Sequence, residues 1–86
     1  MTRLPTRRPG IVRRKVDEEV LLFDPESQRA HFLNPTAELV WDLCDGVHGE
    51  EDMAVEVASR YEVDRDRALH DVRILLAQFW EKKLLR

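Results

Sequence analysis

One cysteine, three glycines and one tyrosine are all that 86 residues hold of those types. A lone Cys44 excludes an intrachain disulfide and fits a reducing cytoplasm. No apolar run is long enough to span a bilayer. Arg3, Arg7 and Arg8 near the N-terminus are not followed by the apolar core of a signal peptide, so a cytoplasmic protein is expected. Metal-site spacings of the C-x-x-C or H-x-x-x-H kind are missing, since Cys44 stands alone and His31, His48 and His70 are scattered. Nucleophile elbow, P-loop and dinucleotide fingerprint are missing too. The expectation is a chain with no catalytic residue, no metal and no cofactor.

The residues that invite a catalytic reading have plainer ones. Cys44 ends an apolar helical stripe beside Trp41, the setting of a small core residue. His70 lies off its helix's core stripe. Glu50 and Glu51 sit in a helix's first turn, where the macrodipole accounts for them.

The composition is that of one small globular domain. At 43% hydrophobic and 36% charged, the chain can bury a modest core and is not disordered. The net charge of −3 hides an asymmetry. Arg3, Arg7, Arg8, Arg13, Arg14 and Lys15 precede the first acid, and everything after them is acidic on balance. Residues 1–10 read as a basic, flexible arm and residues 11–86 as the folded domain.

The first half of the domain has β character. Ile11 to Val16 is a weak strand, and Glu19 to Asp24, around Val20-Leu21-Leu22-Phe23, a stronger one. Asp24-Pro25-Glu26-Ser27 has the Asp and Pro that a type I turn prefers, and Arg29 to Leu33 returns as a third strand. Three helices follow. Asn34 is an N-cap with Pro35 at the first helical position. Ala37, Val40, Trp41 and Cys44 repeat at helical spacing, and Asp45-Gly46 is placed to stop that helix with a left-handed glycine. The second helix starts near Gly49, with Ala54, Val57, Ala58 and Tyr61 as its stripe. The third is capped by Asp64, carries Leu69, Val72, Leu75, Leu76 and Phe79, and is stapled across the cap by Val63 and Ala68. The expected fold is α+β, winged helix-turn-helix-like: a three-stranded antiparallel sheet followed by three helices.

Two binding functions suit that order. A winged helix would read DNA with its last helix, and a peptide reader would use its sheet edge. A recognition helix needs positive charge to meet phosphates. Here Arg65, Arg67 and Arg73 are interleaved with Asp64, Asp66 and Asp71, so nucleic acid ranks second as a partner.

The string VLLFDPESQRAHFLNPTAELVWDLCDG, then an acidic helix ending in ASRYEVD, then ALHDVRILLAQFWEKKLL, resembles the PqqD-like family. Its members are also called RiPP recognition elements, after ribosomally synthesised and post-translationally modified peptides. The resemblance runs from about Arg14 to Leu85. Its specific markers are Leu33-Asn34 with Thr36-Ala37, Trp41, Asp45-Gly46, Tyr61-x-Val63-Asp64 and Asp71-Val72. One departure stands out: relatives often carry a glycine near the turn after Asp-Pro, where this chain has Ser27-Gln28.

The resemblance implies a domain that binds the leader of a precursor peptide and delivers it to a separate modifying enzyme. The enzyme would be a leader protease with its macrocyclase in the lasso-peptide pathways, slightly favoured here, or a radical S-adenosylmethionine enzyme in pyrroloquinoline quinone synthesis. It further implies that the leader adds as a strand to the third β-strand, against the third helix. Arg29, Ala30, His31, Phe32 and Leu33 would then form the docking edge. At about 100° per residue, Arg67, Asp71, Ile74 and Gln78 share the helix face beside the core stripe. Ile74 is the apolar residue in that polar company, and Leu75 at the stripe's edge continues the floor. An edge strand also allows two copies to pair as a homodimer.

Overall fold

The computed structural model describes residues 4–86. Three strands, β1 (Val12–Val16), β2 (Glu19–Asp24) and β3 (Arg29–Leu33), precede three helices, α1 (Pro35–Asp42), α2 (Glu50–Tyr61) and α3 (Arg65–Glu81). The sheet order is β1-β2-β3, antiparallel throughout, which is the α+β meander the sequence predicts. Val20 lies opposite Leu33, and Leu22 opposite His31.

Alternation decides which face is core. Val20, Leu22 and Asp24 of β2 point inward and are buried, as is Leu33 of β3. The inner face of β1 carries Arg13 and Lys15 instead of apolar residues. Both pair with Glu38 of α1, Lys15 at 3.1 Å, so that end of the sheet is held to the helix by charge. The outer face carries Val12, Phe23 and Phe32, all exposed.

The caps stand where the sequence puts them. The Asn34 side chain accepts from the Ala37 N–H at 2.9 Å, with Pro35 opening α1. The Asp64 side chain accepts from the Arg67 N–H at 2.9 Å. At the start of α2 the Gly49 N–H donates to the Asp52 carboxylate. The core joins all three helices to the sheet: Val40 and Trp41 of α1, Met53, Ala54 and Val57 of α2, and Ala68, Val72, Leu76 and Phe79 of α3. Tyr61, expected on the buried stripe of α2, is exposed, and Met53 takes a core place instead.

Two expectations about chain ends differ from the structure. α1 stops at Asp42, so Cys44 is buried beyond the helix, where its thiol donates to the Val40 carbonyl at 3.2 Å. Burial pushes that thiol's pKa up to about 12, which suits a core residue and not a nucleophile. Gly46 does not cap the helix. It turns the following loop at φ +86, with Thr6 Oγ1 3.1 Å from where a Cβ would stand.

The second difference is the basic arm. Residues 1–3 of it lie outside the described residues. From Leu4 to Gly10 it is no loose tail but a strap across the body. Thr6 bridges to Asp45 and Arg7 to Leu85. The Arg7 N–H donates to the Cys44 carbonyl at 2.8 Å, and the Arg8 N–H to the Leu84 carbonyl at 3.0 Å. The Arg7 guanidinium donates to the carbonyls of Trp41 and Asp42, and so covers the end of α1. Leu84 and Leu85 follow a left-handed Lys83 beyond the end of α3 and are buried, with the Arg8 N–H bonded to the Leu84 carbonyl.

Candidate functional site

The free edge of β3 is the place to start, because β3 is an outer strand of the sheet. Beyond it stands α3. Where the channel between them is concave, Asn34 and Thr36, just past β3, line one end with α3 side chains, and Arg29 lines the other with Glu81 and Lys82. Its side chains follow from two periodicities. On β3, Arg29, His31 and Leu33 point to the core side, and Ala30 and Phe32 to the outer side. Leu33 is buried, so it offers a peptide only its backbone, whereas Phe32 is 61% exposed.

On α3 the face toward the channel bears Asp71, Ile74, Leu75 and Gln78. These four line a concavity of about 300 Å³ together with Asn34 and Thr36. Ile74 is 45% exposed and Leu75 partly buried, so one contributes surface and the other anchors it to the core. The structure thus brings together four of the five helix positions singled out from sequence. Arg67, one turn earlier, is exposed and outside that lining. Asn34 and Thr36 were missed as lining residues. Their helix-capping role was legible, but their nearness to α3 depends on how α1 packs.

A second concavity, of about 290 Å³, opens at the other end of β3. Arg29, Lys82 and Lys83 line it with Glu81 and the β2–β3 turn. His31 has its pKa lowered by partial burial and by the positive charges of Lys82 and Arg29. The turn is built on Asp24. Its carboxylate accepts from the Glu26 N–H at 3.0 Å, from Ser27 Oγ at 2.9 Å and from Arg8 Nη2 at 2.6 Å. Burial opposes the charged form of Asp24, but those hydrogen bonds outweigh it and its pKa is lowered. Gln28 closes the turn at φ +60, its N–H donating to the Asp24 carbonyl at 2.7 Å. The connection is thus four residues long, Pro25 to Gln28, wider than a two-residue turn and closed without a glycine.

A larger concavity, about 620 Å³, lies elsewhere, between the strap and α1. Its cations are already engaged, Arg7 with helix-end carbonyls and Arg13 with Glu38 and Asp42. Among the described residues no cluster of His, Cys, Asp and Glu could hold a metal ion. Nor is any helix of them long and apolar enough to cross a membrane.

Comparison with known proteins bears on this site. Lasso peptide synthetase B1, solved in complex with the leader peptide, has the same fold at a TM-score of 0.85 and 29% identity, over 96% of this chain and 98% of that one. TbiB1, solved in complex with the TbiA(beta) leader peptide, matches at 0.82 and 23%, over 94% of each chain. No curated protein matches the sequence. The family model described as coenzyme PQQ synthesis protein D matches residues 19–85, which takes in β2, β3 and all three helices. The chain belongs to the PqqD family.

Proposed function

We propose that this chain is a leader-peptide reader, of the lasso-peptide type before the pyrroloquinoline quinone type. It takes the leader of a ribosomally made precursor as a fourth strand on β3 and delivers it to a separate enzyme. The observation that carries this is the unpaired outer edge of β3 beside an α3 concavity lined by Ile74 and Leu75, which begins at Asn34, the residue after β3. Backbone groups of Arg29, Ala30, His31, Phe32 and Leu33 supply the ladder. Alternate leader side chains meet the α3 wall of Asp71, Ile74, Leu75 and Gln78 on one side and Phe32 on the other. Arg67 is placed to meet residues beyond that wall.

Both solved neighbours hold leader peptides, which supports the substrate class, and the one at 29% identity is a lasso peptide synthetase B1, which favours that pathway. No chemical step is assigned to this chain. Its contribution is to raise the effective concentration of the precursor beside a leader protease and macrocyclase, or beside a radical S-adenosylmethionine enzyme. The reading needs no cofactor.

A DNA-binding role has less support. Arg65 and Arg73 of α3 pair with Glu51 and Glu50 of α2, which leaves little free positive charge on that helix. Fluorescence polarisation with leader peptides of both classes, and a duplex DNA at two salt concentrations, separates the readings. Saturable binding of one leader class with weak salt dependence supports the proposal. Binding of DNA alone, falling steeply with salt, overturns it.

A further inference from the structure

We propose that the channel is polar along its length, and that its Arg29–Lys82 end reads an acidic residue of the peptide. Resting on the leader-binding reading, this adds a specificity rule: an Asp or Glu about four residues from the apolar side chain seated on Ile74.

The rule comes from where charge is left over. Among the described residues, Arg29, Lys82 and Lys83 take part in no salt bridge, although eight are formed elsewhere. Cations at the C-terminal end of α3 have an ordinary explanation in the helix dipole. Arg29 sits on the edge strand, where a charged side chain ordinarily guards the edge, but here it shares its concavity with Lys82 and Lys83. The nearest acids are largely spoken for: Asp24 is paired with Arg8, and Glu26 lies 3.7 Å from that same guanidinium. With Arg8, Arg29, Lys82 and Lys83 against Asp24, Glu26 and Glu81, that concavity carries one net positive charge. Arg29 and Lys82 line the same concavity, which places the two positive charges at one end of the channel.

The opposite end is different. Around Ile74 and Leu75 the lining is Asn34, Thr36, Asp71 and Gln78, without a cation. A peptide acid would be unpaired there and beside Asp71. A peptide whose acid lies at the wrong end therefore loses one attraction and gains one repulsion, which is how a register is selected.

The spacing follows from geometry. Arg29 to Asn34 is five steps along an extended strand, about 16 Å at about 3.3 Å per residue. Ile74 to Lys82 is eight steps of helix, about 12 Å at about 1.5 Å per residue. A paired peptide covers about 12–16 Å in about four or five residues at about 3.3 Å each. An even number also keeps both anchors on the side that faces α3.

Selection from a displayed library of random 12-residue peptides tests this, using the full chain and a Lys82→Glu, Arg29→Glu double variant. Both substituted residues are exposed, and circular dichroism checks that the variant folds. Expected on the wild type are peptides with an apolar residue and an Asp or Glu four positions away. On the double variant those peptides should weaken about fivefold to tenfold, the scale of one or two exposed ion pairs. Exchanging the peptide's acid for Lys should restore binding to that variant. Enrichment of apolar patterns with no acidic preference overturns the specificity rule and leaves the peptide reader standing. No enrichment on either protein overturns the reader itself.

Discussion

Arg8 donates to Asp24 at 2.6 Å, and through that pair the strap before the first strand holds the turn that leads into the docking edge. Asp24 is the one buried charged residue of the domain's described part, and each of its oxygens has a partner. Its lowered pKa is a statement about stability. A carboxylate whose folded pKa is depressed stabilises the fold above its unfolded pKa, and the gain is lost as pH falls through the folded value. Acid below the ordinary value of 3.8 should therefore weaken the wild type. Asp24→Asn should be less stable at neutral pH and lack that part of the acid dependence. Urea unfolding at a series of pH values checks it; parallel acid profiles for the two proteins would contradict it.

The strap predicts a second effect. Removing residues 2–10 discards four backbone hydrogen bonds: Arg7 N–H to Cys44, Arg8 N–H to Leu84, Gly46 N–H to Pro5 and Arg86 N–H to Thr6. At about 0.5–1.5 kcal/mol each, the loss is about 2–6 kcal/mol, before counting the cover taken from Leu84 and Leu85. Thermal unfolding should show a large fall in Tm. An unchanged Tm would mean that these contacts contribute nothing.

Trp41 meets Phe79 edge to face, with ring centroids 5.8 Å apart at 81°. Trp41→Ala should cost about 3–5 kcal/mol, which is close to the whole stability of a small domain. The variant should lose its near-ultraviolet circular dichroism signal and its cooperative transition. A folded, cooperative Trp41→Ala protein would refute the placement of this residue at the centre of the core.

Ile74 has the opposite profile, since half of it faces the channel. Ile74→Glu should reduce leader affinity about tenfold or more, equivalent to about 1.4 kcal/mol, with Tm nearly unchanged. Titration calorimetry beside a melting curve reads both. A collapse of stability would make Ile74 a core residue.

Gln28 offers a stabilising change. A left-handed residue other than glycine carries a backbone cost of about 1 kcal/mol, and at φ +60 Gln28 bears it. Gln28→Gly should raise stability by up to about 1 kcal/mol, reduced by the added freedom of the unfolded chain. Denaturant midpoints decide it, and a lowered midpoint would show that the Gln28 side chain holds the turn by other means.

What could be read from sequence alone was whatever depends on near neighbours. β2 and β3 have the boundaries expected, because alternation and the Asp-Pro turn act within a few residues. The caps at Asn34 and Asp64 act over three residues, and both are where the sequence puts them. The helix face with Ile74 was legible because helical spacing alone gathers Asp71, Ile74 and Gln78. Periodicity failed where long-range contacts decide. The strap from Leu4 to Gly10 has no apolar period, and it is held by partners such as Cys44 and Leu84 far along the chain. Tyr61 follows the helical period but lies in the last turn of α2, where it lines a surface hollow with Pro35, Glu38 and Leu39 instead of entering the core. The meeting of Arg29 with Lys82, which gives the channel its polarity, needs a strand and a helix end 53 positions apart. Local stereochemistry writes elements and their ends into the sequence; only the packing of those elements decides which charges face one another across the gap.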